Sequence, residues 1–215
     1  MMRGMFPYPA FALLFALTAS PMQSNNAQSE SPQTIFDRAV ADFRGGRIAE
    51  SVAGFDALVK IAPDSAPGLW QRGIAQYLAG RFKECRAQFE SHRTVNPNDV
   101  ENAAWHFACV ARAESAEAAK AALLPVGPDS RRPMREVYQM LRGTLAPEEV
   151  LTAAGTQPAA QFYAHLYLGL YFDAIGSKAK ALEQMTTAAS DRYASVGGYM
   201  HTVARLHRDI LQRSK

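Results

Sequence analysis

Histidine and cysteine are the side chains of this 215-residue sequence that could support catalysis or metal binding. His106 and Cys109 are three residues apart in a helical pattern, which would present both to one metal ion. A structural zinc ion normally takes four ligands, and no second pair of this kind occurs. No histidine accompanies a nucleophile signature such as G-x-S-x-G. The sequence therefore predicts no metal, no cofactor and no catalytic residue, although it contains five histidines: His92, His106, His165, His201 and His207.

The two cysteines, Cys85 and Cys109, both lie in helical, apolar surroundings. In such surroundings a free thiol behaves as a small hydrophobic group, and this is the favoured interpretation. A disulfide is the alternative if the chain is exported, and the distance between the two residues decides between them.

One cluster of basic residues is a further candidate for binding a partner. Arg131, Arg132 and Arg135 cluster on the connection between Pro128 and Pro133, where they form either a solvated loop or a contact for an anionic partner. The net charge of +3 is too small to indicate nucleic acid binding. Hydrophobic residues make up 48% of the chain, enough to fill a packed core.

Residues 1–27 are predicted to be a secretory signal peptide. Arg3 precedes an apolar run over residues 10–19, about half the length that a transmembrane helix needs. A retained N-terminal helix is the alternative. Residues 28–33 are polar and predict a disordered tether. We therefore expect an exported protein, periplasmic or secreted, with no stable membrane span after cleavage.

The sequence contains a repeat with a period of 34 residues. Residues 32–65 and 66–99 share eight identities at this one offset, including Arg38/Arg72, Gly46/Gly80, Phe55/Phe89 and Pro63/Pro97. In the second copy, apolar spacing predicts helices over 69–78 and 82–95 with a turn at Gly80. The third copy, weaker in sequence, covers residues 162–195.

The remaining segments are also predicted to be helical. Between the copies, residues 100–157 give a helix over 100–113 with Asp99 as its cap, a helix over 116–124 with Ser115 as its cap, and two more that begin at Pro133 and Pro147. A last helix covers 198–213, and no segment has the pattern of a strand. The predicted fold class is all-α: an α-solenoid of antiparallel helix pairs in a single domain over residues 34–213.

The repeat period, together with its small residues followed by an aromatic residue and a proline, resembles the tetratricopeptide repeat (TPR) family. The order of elements, including LRGTLAPEEVL at 141–151 and YLGLYFDAIGSKAKALEQM at 167–185, resembles the NlpI-type TPR lipoproteins. This resemblance implies an exported homodimer that acts as an adaptor for cell-wall hydrolases and proteases. The lipid-bearing cysteine of the NlpI-type proteins is absent. Arg38 and Arg72 stand where the TPR family usually has an apolar residue.

The candidate protein-binding groove consists of two matched apolar stripes, one on the first helix of the first repeat and one on the first helix of the second. They are spaced i, i+4 and i+7, and they form either part of the core or a groove for a partner or a second copy of the chain. Trp70 is the largest member and the predicted hot spot. The stripes consist of Phe36, Val40 and Phe43 in the first repeat and Trp70, Ile74 and Tyr77 in the second.

The favoured function is therefore a non-enzymatic adaptor that binds another protein. The alternatives are an envelope hydrolase and a protein that binds small ligands or glycans. Polar groups converging in a closed pocket would favour an enzyme, whereas an open aromatic groove would favour the adaptor.

Two predictions concern packing within each repeat. Arg38 and Arg72 each precede a glutamate by twelve residues, Glu50 and Glu84, and partly buried Arg–Glu pairs are expected. Gly73 is expected to let the second helix of its pair approach closely, so that a larger residue there would overpack the contact.

Overall fold

The computed structural model describes residues 30–213, and every regular element within that range is helical. No helix in these residues combines the length and the apolar character that crossing a bilayer requires. The predicted signal peptide lies outside the described residues. The α-helices are α1 (Pro32–Arg44), α2 (Ile48–Ile61), α3 (Trp70–Leu78), α4 (Phe82–His92), α5 (Val100–Ala113), α6 (Ala116–Ala121), α7 (Met134–Arg142), α8 (Pro147–Ala154), α9 (Pro158–Ala174), α10 (Lys178–Ala188) and α11 (Ala194–Arg213).

Helix boundaries follow local capping chemistry. The side chains of Ser31, Asp99 and Ser115 accept hydrogen bonds from backbone amides in the first turns of α1, α5 and α6. Because Ser31 caps α1, the folded domain begins within the segment that was predicted to be a tether up to residue 33. Short 3-10 segments at Pro63–Gly68 and Asp191–Tyr193 complete the described elements.

Three helix pairs share the same turn. Gly46, Gly80 and Gly176 each follow the first helix of a pair with φ between 75° and 79°, a conformation that favours glycine. The turns join α1 to α2, α3 to α4 and α9 to α10. The third copy of the repeat, weak in sequence, therefore turns in the same way as the first two.

Close approach at small residues fixes the packing within these pairs. A Cβ atom on Gly73 would lie 2.6 Å from the Phe89 ring, and one on Gly169 would lie 2.8 Å from Met185. In the first pair the small residues are Ala39 and Gly54, and a Cβ on Gly54 would lie 2.9 Å from that of Ala39. The expectation that Gly73 faces a neighbouring helix is confirmed.

The core centres on α5 and α9, which pack against each other. Eleven of the 14 residues of α5 are buried, and so are eleven of the 17 residues of α9. Helix α11 packs on α9 and α10 and reaches α3, so the end of the chain returns to the first repeats. Its backbone leaves the helical conformation at Gly198, with φ 52° and ψ −125°. The break separates a short helical segment from the long last helix, which begins beside the predicted residue 198.

Two other helices end earlier than the pattern predicted. Helix α4 ends at His92 instead of residue 95, and α6 ends at Ala121 instead of residue 124. The Asn96 side chain donates a hydrogen bond to Asp99, the residue that caps α5. Apolar residues continue beyond both helix ends, which is why the periodicity overestimates their length.

The predicted pairs Arg38–Glu50 and Arg72–Glu84 do not form. Arg72 binds Asp56 on α2 at 2.7 Å and donates to Gln88 at 2.8 Å, while Arg38 binds Glu30. Arg72 lies level with Gln88, one helical turn beyond Glu84, so the expected register was wrong by one turn. Arg72 therefore links the second helix of the first repeat to both helices of the second.

The expectation of two buried free thiols was also wrong. Cys85 on α4 and Cys109 on α5 form a disulfide, with a Cα–Cα distance of 5.8 Å that is typical of such bonds. Both residues are fully buried. The bond joins the second repeat to the central helix of the core.

Candidate functional site

The structure divides the predicted aromatic stripe into buried and half-buried residues. Phe43, Ile74 and Tyr77 are buried, whereas Phe36, Val40 and Trp70 are half-buried. Tyr199 of α11 stacks on Phe43 and meets Trp70 edge to face, with ring centroids 5.2 Å apart in each pair. Helix α11 therefore covers part of the stripe. Trp70 and Ile74 line one pocket with other aromatic side chains, and Tyr77 lines a different cavity.

The first polar centre is the Asp173 cluster, which comprises Tyr77, Arg112, Asp173 and His207 from α3, α5, α9 and α11. Oδ2 of Asp173 accepts hydrogen bonds from the Tyr77 hydroxyl at 2.6 Å and from Nε2 of His207 at 2.9 Å. Its Oδ1 accepts one from Nη1 of Arg112 at 2.9 Å. Both carboxylate oxygens therefore have donors, and one side chain joins four helices.

Electrostatics keep Asp173 ionised in spite of its burial. Burial opposes the charged carboxylate, but the hydrogen bonds from His207 and Tyr77 and the charge of Arg112 outweigh it and lower the pKa of Asp173. Burial and the Asp173 charge raise the pKa of Tyr77 well above its usual value. Tyr77 thus remains a neutral donor to a charged acceptor, a strong form of hydrogen bond.

The Asp173 cluster borders a half-open cavity of about 720 Å³ whose described lining contains no serine, threonine or cysteine. Tyr77, Arg112 and His207 direct their donors to Asp173 and not to the cavity. The Nδ1 atom of His207 is the one polar side-chain atom of these four residues that is buried without a partner. Polar groups do converge here, but the arrangement suits the joining of helices better than nucleophilic catalysis.

The second polar centre is a cavity of about 400 Å³, here called the tryptophan pocket. Helices α3, α4, α5, α9 and α11 all contribute, and the short connection before α5 adds Asn96 and Asp99. The walls combine large aromatic side chains with a few polar groups, as ligand pockets commonly do. The described lining residues are Trp70, Ile74, Phe89, His92, Asn96, Asp99, Glu101, Asn102, Trp105, Tyr163 and Met200.

Neighbouring rings hold the aromatic walls in place. Phe89 stacks on Trp105 with centroids 6.2 Å apart, and Tyr163 stacks on Tyr167 at 6.3 Å. Trp70 is held edge to face by Tyr199. The pocket is therefore formed before any ligand arrives, which reduces the entropic cost of binding.

Two polar atoms of residues in the pocket wall lack hydrogen-bond partners. The carbonyl oxygen Oδ1 of Asn102 and the indole Nε1 of Trp105 are both buried without one. These residues are only 4% and 2% exposed. A buried polar group without a partner costs roughly 1–3 kcal/mol. Both atoms are fully enclosed, so they weaken the packing of the wall and are not themselves accessible from the pocket.

Arg131 binds three carboxylates, two of which line this pocket, and this arrangement is here called the Arg131 bridge. Its guanidinium binds Asp99, Glu101 and Asp129 at 2.6 Å each. Burial and the nearby charge of Asp99 raise the pKa of Glu101, although hydrogen bonds from Tyr167 and Arg131 oppose the shift. Of the predicted basic cluster, Arg131 is thus fully engaged, Arg135 pairs with the adjacent Glu136, and Arg132 is exposed.

The histidines take separate structural roles. Cys109 is in the disulfide, so the predicted half-site with His106 has no free thiolate, and no cluster of metal-ligating side chains occurs among residues 30–213. His106 binds Glu90 at 3.3 Å, and His92 binds the Pro67 carbonyl at 2.7 Å. His165 and His201 bind Gln184 and the Ser190 carbonyl, so the five do not form one site.

Sequence reasoning missed both polar centres. Asp173 lies in an apolar stretch of α9 as its one acidic residue, and this isolation is the signal that could have identified it. Asp99 was interpreted only as a helix cap, and Glu101 and Asn102 were not considered. No local pattern connects them to Arg131, which lies 32 residues beyond Asp99.

No family model and no curated protein sequence matches the chain.

Proposed function

We propose that this chain is an exported, non-enzymatic scaffold of the TPR type that binds another polypeptide at the tryptophan pocket. The observation that carries the proposal is the pocket itself, a preformed aromatic cavity to which two repeats, the central helix and the last helix all contribute. The resemblance to NlpI-type proteins implies a cell-wall hydrolase or protease as partner. Homodimerisation, which rests on the same resemblance, stays a prediction.

The finer fold proposed is an α-solenoid of antiparallel helix pairs. Three observations support it: the 34-residue repeat, the shared glycine turns and the contacts within each pair. In the second pair Arg72 contacts Gln88 while Tyr77 meets Phe82 at 5.4 Å, so residues later in α3 contact earlier ones in α4. In the third, His165 contacts Gln184, whereas Phe172 lies 5.2 Å from the Lys180 ammonium.

Binding of a polypeptide accounts for the composition of the tryptophan pocket. Aromatic side chains dominate binding energy at protein interfaces because each buries a large area at little cost in conformational entropy. Trp70 is half-buried, so part of its surface remains accessible to a partner.

The hydrolase alternative is less well supported. Asp99 and Glu101 near aromatic rings are suggestive of glycoside hydrolysis, which uses a pair of carboxyl groups. In this chain, however, one guanidinium binds both of them at 2.6 Å. A general acid must keep its proton, whereas the charge of Arg131 favours the ionised carboxylate. A nucleophile must reach the sugar, whereas these carboxylates are already bound to Arg131.

The proposal is tested by capture of the partner on the mature chain, residues 28–215, from envelope extract of the source cells. The captured polypeptide is then purified and its affinity measured with wild type, Trp70→Ala and Tyr171→Ala. Tyr171 is the matched control, because it is also a half-buried aromatic residue but lies outside the pocket. We expect Trp70→Ala alone to lose binding. Equal affinity of all three proteins would contradict the proposed site.

A further inference from the structure

The Arg131 bridge leaves the side of the tryptophan pocket negatively charged. Asp99, Glu101 and Asp129 bring three carboxylates to a single guanidinium, a formal excess of two negative charges when all are ionised. Two of the three, Asp99 and Glu101, line the pocket directly. A positively charged group entering the pocket would reduce this excess.

Aromatic faces stand next to these carboxylates. Trp70, Trp105 and Tyr163 line the same cavity, and aromatic faces attract cations. Among biological cations, a guanidinium suits such a site better than an ammonium because it is planar, stacks on rings and is more weakly hydrated. Arg131 itself shows that these carboxylates accept a guanidinium at 2.6 Å.

We propose that the tryptophan pocket binds an arginine side chain of a partner polypeptide, with the guanidinium between the aromatic walls and the carboxylates of Asp99 and Glu101. This rests on the proposed function and adds to it the chemistry by which the partner is recognised. The partner segment is accordingly basic at this position.

The test uses the fluorescence of the two tryptophans of the chain, Trp70 and Trp105, since both line the pocket. The probe is acetyl-Gly-Arg-Gly-amide, and its control is the same peptide with citrulline, which keeps the shape and loses the charge. We expect a saturable fluorescence change with the arginine peptide and at least tenfold weaker binding of the citrulline peptide.

Two variants should shift the affinity in opposite directions because they change the charge in opposite directions. Glu101→Gln is expected to weaken binding of the arginine peptide about tenfold, and Arg131→Gln to strengthen it about threefold. Glu148→Gln, an exposed acidic position outside the pocket, should leave the affinity unchanged.

Equal affinity for the two peptides, or no saturable change with either, would overturn the arginine proposal. Loss of affinity in Arg131→Gln would also overturn it, because Arg131 would then assist binding instead of competing for the carboxylates. These results are separate from the capture experiment: a partner that binds through Trp70 without an arginine leaves the proposed function standing and refutes this inference alone.

Discussion

The Asp173 cluster and the tryptophan pocket are both polar centres enclosed by helices, yet their hydrogen bonding differs. Each oxygen of Asp173 accepts from a donor on a different helix, and three other helices are tied to α9 in this way. The wall of the tryptophan pocket instead includes an acceptor on Asn102 and a donor on Trp105 that have no partners. Their charge differs as well: Asp173 meets Arg112 and His207, whereas Arg131 meets three carboxylates.

This difference distinguishes a structural centre from a binding centre. A polar network in which the carboxylate is fully bonded stabilises one arrangement of helices and has little left to offer a ligand. Unpartnered polar groups reduce the stability of the free protein and join no helices, while the aromatic faces and the carboxylates that line the pocket remain available to a ligand. We therefore expect substitutions in the Asp173 cluster to change folding and substitutions in the tryptophan pocket to change binding.

The largest effect is expected for Asp173→Ala. Removing the carboxylate leaves Tyr77 and His207 buried without an acceptor, and breaking a buried pair from one side costs about 3–5 kcal/mol. The lower part of that range applies, because Arg112 is 37% exposed and water can replace its partner. Urea unfolding followed by circular dichroism measures the change.

The matched control for that change is Asp37→Ala, an exposed position on α1. Its unfolding midpoint should remain at the wild-type value. An Asp173→Ala protein as stable as this control would show that the cluster does not hold α11 in place.

The next largest effect is expected for binding in Trp70→Ala. Loss of a half-buried aromatic anchor should weaken partner binding by about 2 kcal/mol or more while leaving the helical content near that of wild type. Phe107→Ala provides the contrast, since Phe107 is fully buried and lies outside the pocket, so its removal should lower stability. Thermal melts and affinity measurements on both variants separate the two roles. Unfolding of Trp70→Ala would assign this residue to the core.

Acidification should affect the two centres with opposite signs. The pKa of Asp173 is lowered in the fold, so its stabilisation is present above the ordinary value of about 3.9 and is lost as pH falls below that value. The pKa of Glu101 is raised, so ionised Glu101 costs stability at neutral pH, and the cost disappears as pH falls towards about 4.3.

Unfolding curves between pH 7 and pH 3 check this expectation. The stability difference between wild type and Asp173→Asn should persist at pH 5 and shrink only below pH 4. A difference that is constant down to pH 3 would mean that the Asp173 carboxylate is not stabilised in the fold.

The smallest effect is expected for the stability of Glu101→Gln. The amide removes one charge from the Arg131 bridge and retains an acceptor for Tyr167, so the variant should be as stable as wild type or more stable by up to about 1 kcal/mol at pH 7. Denaturant titration measures this change. Destabilisation beyond about 1 kcal/mol would place Glu101 with Asp173 as a structural group.

Local signals predicted the helices well and the contacts between helices poorly. Asp99 and Ser115 gave helix starts that the structure confirms, because caps depend on adjacent residues. The Arg72 partner was wrong by one turn because the crossing of two helices is set by packing at Gly73 and Phe89, which the sequence does not measure. The disulfide likewise depends on the distance between α4 and α5.

The candidate site depends on contacts over still larger separations. Trp70 and Ile74 were identified from periodicity, and both line the tryptophan pocket. Tyr77 was assigned to the same stripe, but it binds Asp173, 96 residues away. Which residues of the stripe are covered depends on how α11 packs across the first repeats. The course of α11 depends in turn on the bend at Gly198 and on the packing of Tyr199.

The most direct test of this account is Asn102→Leu, measured for both stability and binding. Leucine is larger than asparagine but removes an acceptor that has no partner, so the cost of overpacking and the recovered cost should offset each other, and the free energy of unfolding should change by less than about 1 kcal/mol. The larger side chain narrows the pocket that Asn102 lines. Binding of the captured partner, and of the arginine peptide, should weaken about tenfold or more. Loss of stability with undiminished binding would contradict the account, because Asn102 would then belong to the structural framework as Asp173 does.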